Sequence, residues 1–214
     1  MHTYKCNDKE FNFPESWEEV DLKTYIKLAK LEESKSEYKY GELYLLKLIE
    51  ALSSAEEGDI DDLSIDQINE LSPKLLFIKE SPNLSTEKHF YIGDKLYAAP
   101  EDFKTLSIGE FISIKTYHEA FPNVWDSCPW ILAILWRPAE KVFDEERGVE
   151  VIKRESFKTD NLEFRKNLFM DQPAVKIVQS LLFFSTMKGG FISNIGDYIP
   201  KGKNFQMEDP AKSV

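Results

Sequence analysis

The residue types that most often do chemistry are sparse and scattered in this chain. The histidines, His2, His89 and His118, fall on three separate predicted elements. None has a carboxylate or cysteine at ligand spacing, so no metal site can be assembled from them. Cys6 and Cys128 are far apart and suggest neither a metal framework nor a disulfide. Cys128 sits in an apolar helical stretch and reads as a buried, reduced thiol. The carboxylate pairs Glu18-Glu19, Glu32-Glu33, Asp61-Asp62 and Glu145-Glu146 lie in polar runs and read as solvated faces rather than as two acids poised in one cleft. Gly189-Gly190 is the only paired glycine. With no strand before it and no G-K-S/T after it, it reads as a helix stop, not a phosphate loop. No G-x-S-x-G or H-E-x-x-H occurs. The expectation is therefore no catalytic residue, no cofactor and no metal.

One charged residue stands apart. Arg137 follows a nearly all-apolar helix, where a cation complements the negative helix end. It reads either as a C-terminal cap or as one half of an ion pair, made with a neighbouring subunit or with the acidic 140–150 segment. Trp125, Trp130 and Trp136 suit a core, and tryptophan is also a frequent interface anchor.

The elements that would position these residues are mostly helices. Residues 125–138 are the most apolar window. Asp126 or Ser127 is the expected cap, with Pro129 in the first turn, and the helix is expected to be buried on nearly all sides. An apolar helix over 173–187 is its natural partner. Residues 3–13 read as a short hairpin around Asn7-Asp8. Asp21 caps a helix with Val20 and Tyr25 as its hydrophobic staple and a stripe of Leu22, Tyr25, Ile26, Leu28 and Ala29. A helix over 38–55 should bury Leu43, Leu46, Leu48, Ile49 and Leu52. Capping boxes open helices at Ser64 (Gln67) and Ser107 (Glu110). The latter runs to Ala120 and should bury Phe111, Ile112 and Ile114. The three openings at Val20, Leu63 and Leu106 recur evenly, but the stretches between them differ in type, so they reflect reuse of a good helix start rather than a repeat. Ser72-Pro73 starts a short helix over 74–80. Residues 89–99 form a hairpin around Gly93-Asp94. Residues 139–158 turn highly charged and read as a protruding loop or hairpin, followed by a short amphipathic helix over 161–170.

Together these imply an α+β fold that is mainly α, with a compact helical core and protruding hairpins. Residues 1–199 make one domain and residues 200–214 an extended tail. The net charge of −11 is concentrated early. Residues 1–80 hold 19 acidic against 10 basic side chains. Such a surface repels nucleic-acid backbone, so it serves solubility, faces DNA without holding it, or meets a basic partner. The first residues form no apolar leader and no uninterrupted apolar run reaches membrane length, which implies synthesis in a cytoplasm and no membrane partner.

The order of three segments resembles a known family. L-A-I-L-W-R-P at 132–138 precedes a charged segment, then F-R-K-N-L-F-M-D-Q-P at 164–173, then a helix ending L-L-F-F-S at 181–185. This is similar to an L-A-x-L-[YW]-R-P, R-x-x-x-F, F-F pattern in small proteins of tailed bacteriophages, particularly those of Bacteroidetes hosts, including crAss-like phages. The stretch P-E-S-W-E-E-V-D-L-K-T-Y at 14–25 is similar to their P-x-x-W-x-E opening. The resemblance implies a non-enzymatic virion protein, a subunit of a head-to-tail connector or tail ring. It also implies assembly in the host cytoplasm, homo-oligomerisation against portal, ring or tail subunits, and DNA passing nearby without specific binding. The alternative is a tail-assembly chaperone absent from the virion. The residues expected to reach neighbours are Arg137, Phe143, Arg147, Val149, Val151, Phe191, Tyr198 and Phe205.

Overall fold

The computed structural model describes residues 2–6, 9–55, 58, 60, 63–101 and 105–181. Over these, the chain is α+β and mainly helical, with two small antiparallel sheets. Strands β1 (His2–Cys6) and β2 (Lys9–Phe13) form the first hairpin. Helices α1 (Leu22–Glu33) and α2 (Gly41–Leu52) follow, then α3 (Ile65–Leu71), which continues into a 3-10 segment at Ser72–Lys79. The second hairpin is β3 (His89–Ile92) and β4 (Lys95–Ala98). Next come α4 (Ile108–Ala120), α5 (Val124–Leu135), β5 (Arg137–Asp144), β6 (Val149–Arg154), α6 (Leu162–Met170) and α7 (Ala174–Ile177). The expected helix over 173–187 is described only to Leu181. The Gly189-Gly190 stop and the tail lie outside the described residues.

Helix α5 is the centre of the core. Trp125, Cys128, Ile131, Leu132, Ala133, Ile134 and Leu135 are all fully buried, so a helix apolar on nearly every side is indeed packed on nearly every side. Its start differs from expectation. Asn123, not Asp126 or Ser127, is the N-cap, accepting from Trp125 N at 2.7 Å. Asp126 instead pairs with Lys30 of α1, and Ser127 donates back to Val124 O. The helix therefore begins three to four residues earlier, and Pro129 lies inside it, withholding the bond that the Trp125 carbonyl would otherwise receive. Glu33 secures this start from across the core. It accepts from the Trp125 indole and from the Asn123 amide, both at 2.8 Å. Among the described residues, α5 packs chiefly against α6 and α4, and Trp136 Nε1 donates to Ser180 Oγ at 3.0 Å.

Helix α1 follows the sequence closely. Asp21 accepts from Thr24 N, and Val20, Leu22, Tyr25, Ile26, Leu28 and Ala29 are buried. Helix α2 is shorter than expected. Ile49 and Leu52 are its buried side, and Leu43 is exposed. Distant segments are stitched by backbone bonds: Leu22 N to Gln172 O, Ala174 N to Val20 O and Ser85 N to Val175 O. One continuous apolar cluster runs from Tyr4 to Leu181.

The two later hairpins are not independent. β4 pairs with β5, so four strands form one sheet in the order β3-β4-β5-β6. Gly93 and Gly148 occupy the left-handed region at φ 57° and 66°, which glycine adopts without a Cβ penalty, at the two hairpin turns. The sheet's root carries Phe90 and Tyr97 against Trp136 and Phe169.

Two predictions follow from this packing. Burial pushes the Cys128 thiol up, well away from thiolate. Thiol reagents at pH 8 should label Cys128 only as fast as the chain unfolds, read by peptide mapping over time, and rapid labelling in the folded state would contradict its burial. At the α1–α2 contact, burial would raise the Glu32 carboxyl, but the Tyr44 hydroxyl donating at 2.6 Å and Lys35 hold it below its usual range. The folded carboxyl thus releases its proton at lower pH than the unfolded one. The stabilisation is complete above about pH 5 and lost as pH falls through the lowered value. The difference in melting temperature between wild type and Tyr44→Phe should be constant near neutrality and shrink in acid.

Candidate interaction site

The site begins with a helix start. Ser107 caps α4 and accepts from Glu110 N at 3.2 Å. Glu110 reaches back to Ser107 N at 2.8 Å and to its hydroxyl at 2.9 Å, both through Oε2. A capping-box glutamate normally lies at the surface. Here it is fully buried. Its other oxygen, Oε1, receives Arg137 Nη2 at 3.1 Å and Arg154 Nη1 at 3.2 Å. One carboxylate thereby joins α4 to the first residue of β5 and the last of β6.

The same arginine set closes the carboxy-terminal end of α5, whose final carbonyls have no helical donors. Arg154 Nη1 also donates to Leu135 O at 3.0 Å. Arg165 of α6 donates through Nε to Ala133 O at 2.9 Å and through Nη2 to Lys158 O at 3.3 Å. Burial lowers the pKa of all three guanidiniums. Repulsion from Arg137 lowers those of Arg154 and Arg165 further, and the Glu110 charge beside Arg137 and Arg154 offsets the lowering only in part. All three stay charged, because a guanidinium starts so far above neutrality. Arg137 Nε is buried with no hydrogen-bond partner among the described residues.

This arrangement corrects the reading of Arg137. The helix ends at Leu135 with Trp136 as its cap, and Arg137 is already in strand. Its ion pair is with Glu110 inside the same chain, not with the 140–150 segment, and its side chain is 8% exposed. The carbonyl-capping role passes to Arg154 and Arg165, which the sequence left unassigned.

The other expected contact residues divide clearly. Residues 139–158 do project as a hairpin, most of β5 with β6, and Phe143 is 63% exposed. Val149 is exposed and Val151 half-buried. Arg147 is exposed in the turn, where it pairs with Asp144 at 3.6 Å, and Asp144 accepts from the backbone N–H of Glu146 and Arg147. Phe191, Tyr198 and Phe205 lie outside the described residues.

Sequence reasoning missed two parts of this surface. Tyr91 and Ile152 are exposed on the same face of the sheet as Phe143, by strand alternation through the β3-β4-β5-β6 registers. On α4, the predicted stripe is buried only at Ile114. Ile114 is buried beside Glu110, while Ile108, Phe111 and Ile112 face outward, Ile108 at 74% and Ile112 at 56% exposure. A signal existed. The outward row runs into Lys115, Thr116 and Glu119 after one turn, whereas Ile114 is followed by Tyr117 and Phe121. Similarly, Phe164 of α6 points outward. Among the described residues, no group of three or more His, Cys, Asp or Glu side chains is placed to hold a metal ion.

Chemically, the Glu110 cluster is a fastening. Removing the acid would strand two buried cations, which costs about 3–5 kcal/mol in comparable buried pairs. Glu110→Gln should therefore lower the unfolding free energy by about 3 kcal/mol, measured by urea denaturation. In an Arg137→Met/Arg154→Met background the same change should cost far less. Equal losses in both backgrounds would show that the three residues are not coupled.

Comparisons with protein-family models, with curated proteins and with solved structures found no match for this chain.

Proposed function

We propose that this chain is a non-enzymatic structural subunit of a tailed-phage virion, forming a ring in the head-to-tail connector or tail. The observation that carries the reading is the β5–β6 hairpin. It stands out from the core with Phe143, Val149 and Ile152 exposed, yet its base is held by the Glu110 cluster. A stiffly rooted arm bearing uncovered apolar side chains suits contact with a neighbouring subunit better than it suits solvent.

The family-like motif also takes on a physical meaning. In L-A-I-L-W-R-P and F-R-K-N-L-F, the arginines are Arg137 and Arg165, and both belong to the buried cluster. Phe169 is fully buried against Tyr97. The motif thus encodes the junction of α5, β5 and α6, which suits a scaffold whose variable surfaces do the work. The buried acid is fully engaged by its cap and its arginines, so it is committed to structure rather than poised for proton transfer. An acidic amino-terminal part suits a channel past which DNA slides without sticking.

One observation favours a second reading. Ile108, Phe111 and Ile112 form a single apolar row on an otherwise polar face of α4, the kind of strip a tail-assembly chaperone would use to shield an apolar segment of its client. Mass spectrometry of purified particles of the encoding phage decides between them. The ring subunit should be retained in washed particles at a copy number fitting a closed ring. Presence in infected cells with absence from particles would favour the chaperone, and a gene outside any phage genome would sink both.

A further inference from the structure

The β5–β6 hairpin is longer than the sheet that supports it. β4 pairs with β5 only from Arg137 to Ala139. Beyond that, Glu140 to Asp144 and Val149 to Lys153 pair only with each other. This ribbon exposes Phe143 and Ile152 on one face and Val149 on the other. A two-stranded hairpin standing alone in water is marginal at best. β6 is also the edge strand, and among the described residues nothing pairs with its outer side. Its sequence, V-E-V-I-K-R, carries no proline to block such pairing. An open edge flanked by apolar side chains on both faces fits an extended segment adding as a further strand.

The chain carries a segment of matching chemistry. Residues 191–199, F-I-S-N-I-G-D-Y-I, combine aromatic and β-branched residues between Gly189-Gly190 and Pro200. Residues 140–150 hold five acidic and two basic side chains, and the segment, whose own single charge is Asp197, is flanked by Lys188, Lys201 and Lys203. The segment also has reach. Leu181 is fully buried, beside the Ser180–Trp136 bond at the root of the sheet. The ten residues from there to Phe191 can extend about 35 Å, more than the ~20 Å length of the ribbon.

We propose that the outer edge of β6 is an acceptor for residues 191–199 of a second copy of this chain, which add as a fifth strand. The inference rests on the ring-subunit reading. Each copy donates to one neighbour and accepts from the other, a head-to-tail contact that closes on itself when the rotation permits. A ribbon pointing away from its own core is placed for a neighbour's strand.

The test uses the full-length chain with Cys6→Ser, since Cys128 is buried. Isotope-labelled copies carrying Ile152→Cys are mixed with unlabelled copies carrying Ile195→Cys and treated with a short bis-maleimide. Because each copy has one reactive thiol, any 152–195 crosslink joins two copies. The expected result is a mixed-isotope crosslink in an oligomer seen by native mass spectrometry. Its yield should fall at least tenfold with Phe191→Asp/Tyr198→Asp, and a chain truncated after Gly190 should be monomeric with an unchanged circular dichroism spectrum. A crosslink formed only when both cysteines share one chain would overturn the proposal, because the segment would then pair with its own sheet. An oligomer that survives truncation would overturn it while leaving the ring reading intact. A chain that stays monomeric at all concentrations and is absent from particles would end both.

Discussion

A single buried carboxylate organises this molecule. Glu110 lies at the third position of α4, where its own helix start uses one oxygen, and the other is shared by Arg137 and Arg154. Burying a charge is costly unless it is paired and hydrogen-bonded, and here every lone-pair direction has a donor. The arrangement is exacting because the partners come from a helix and two strands, and none can shift without exposing a buried ion. Arg154 and Arg165 then complete the open end of α5. The charge cluster and the most apolar helix are thus parts of one junction.

That junction explains where the apolar surface goes. Because Glu110 must face the arginines, α4 is turned so that Ile114 follows it inward and Ile108, Phe111 and Ile112 are left outside. In the same way, β5 and β6 are fixed at Arg137 and Arg154, at the base of the hairpin, while Phe143 and Val149 lie at the far end. The electrostatic requirement is met at the centre, and apolar residues are displaced to the periphery. Buried ion pairs add little stability compared with an apolar replacement, but they penalise wrong packings heavily.

Much of the fold was legible in local sequence. The Asp21 cap, the Ser64 and Ser107 capping boxes, the Gly93-Asp94 turn and the burial of 131–135 are all set by neighbours within four residues, so chain-local physics determines them. Errors arose where a choice between local options was made elsewhere. Asn123 won the cap of α5 from Asp126 because Glu33 holds Asn123 and Lys30 holds Asp126, both from α1. On α4, hydrophobicity alone favoured burying Phe111 and Ile112 with Ile114, whereas only Ile114 shares the inward side with the buried carboxylate of Glu110.

By itself, then, the sequence determined an α+β chain with a central apolar helix and a projecting charged hairpin, because helix caps, turn glycines and apolar runs act over a few residues. Only the tertiary structure decided that the two hairpins share one sheet, that Arg137 serves the interior, and which side of α4 and of the ribbon faces out. Those outcomes depend on pairs such as Glu110 with Arg154 and Leu96 with Ala139, separated by more than forty residues. Their attraction exists only once the core has brought them into contact and removed the water between them.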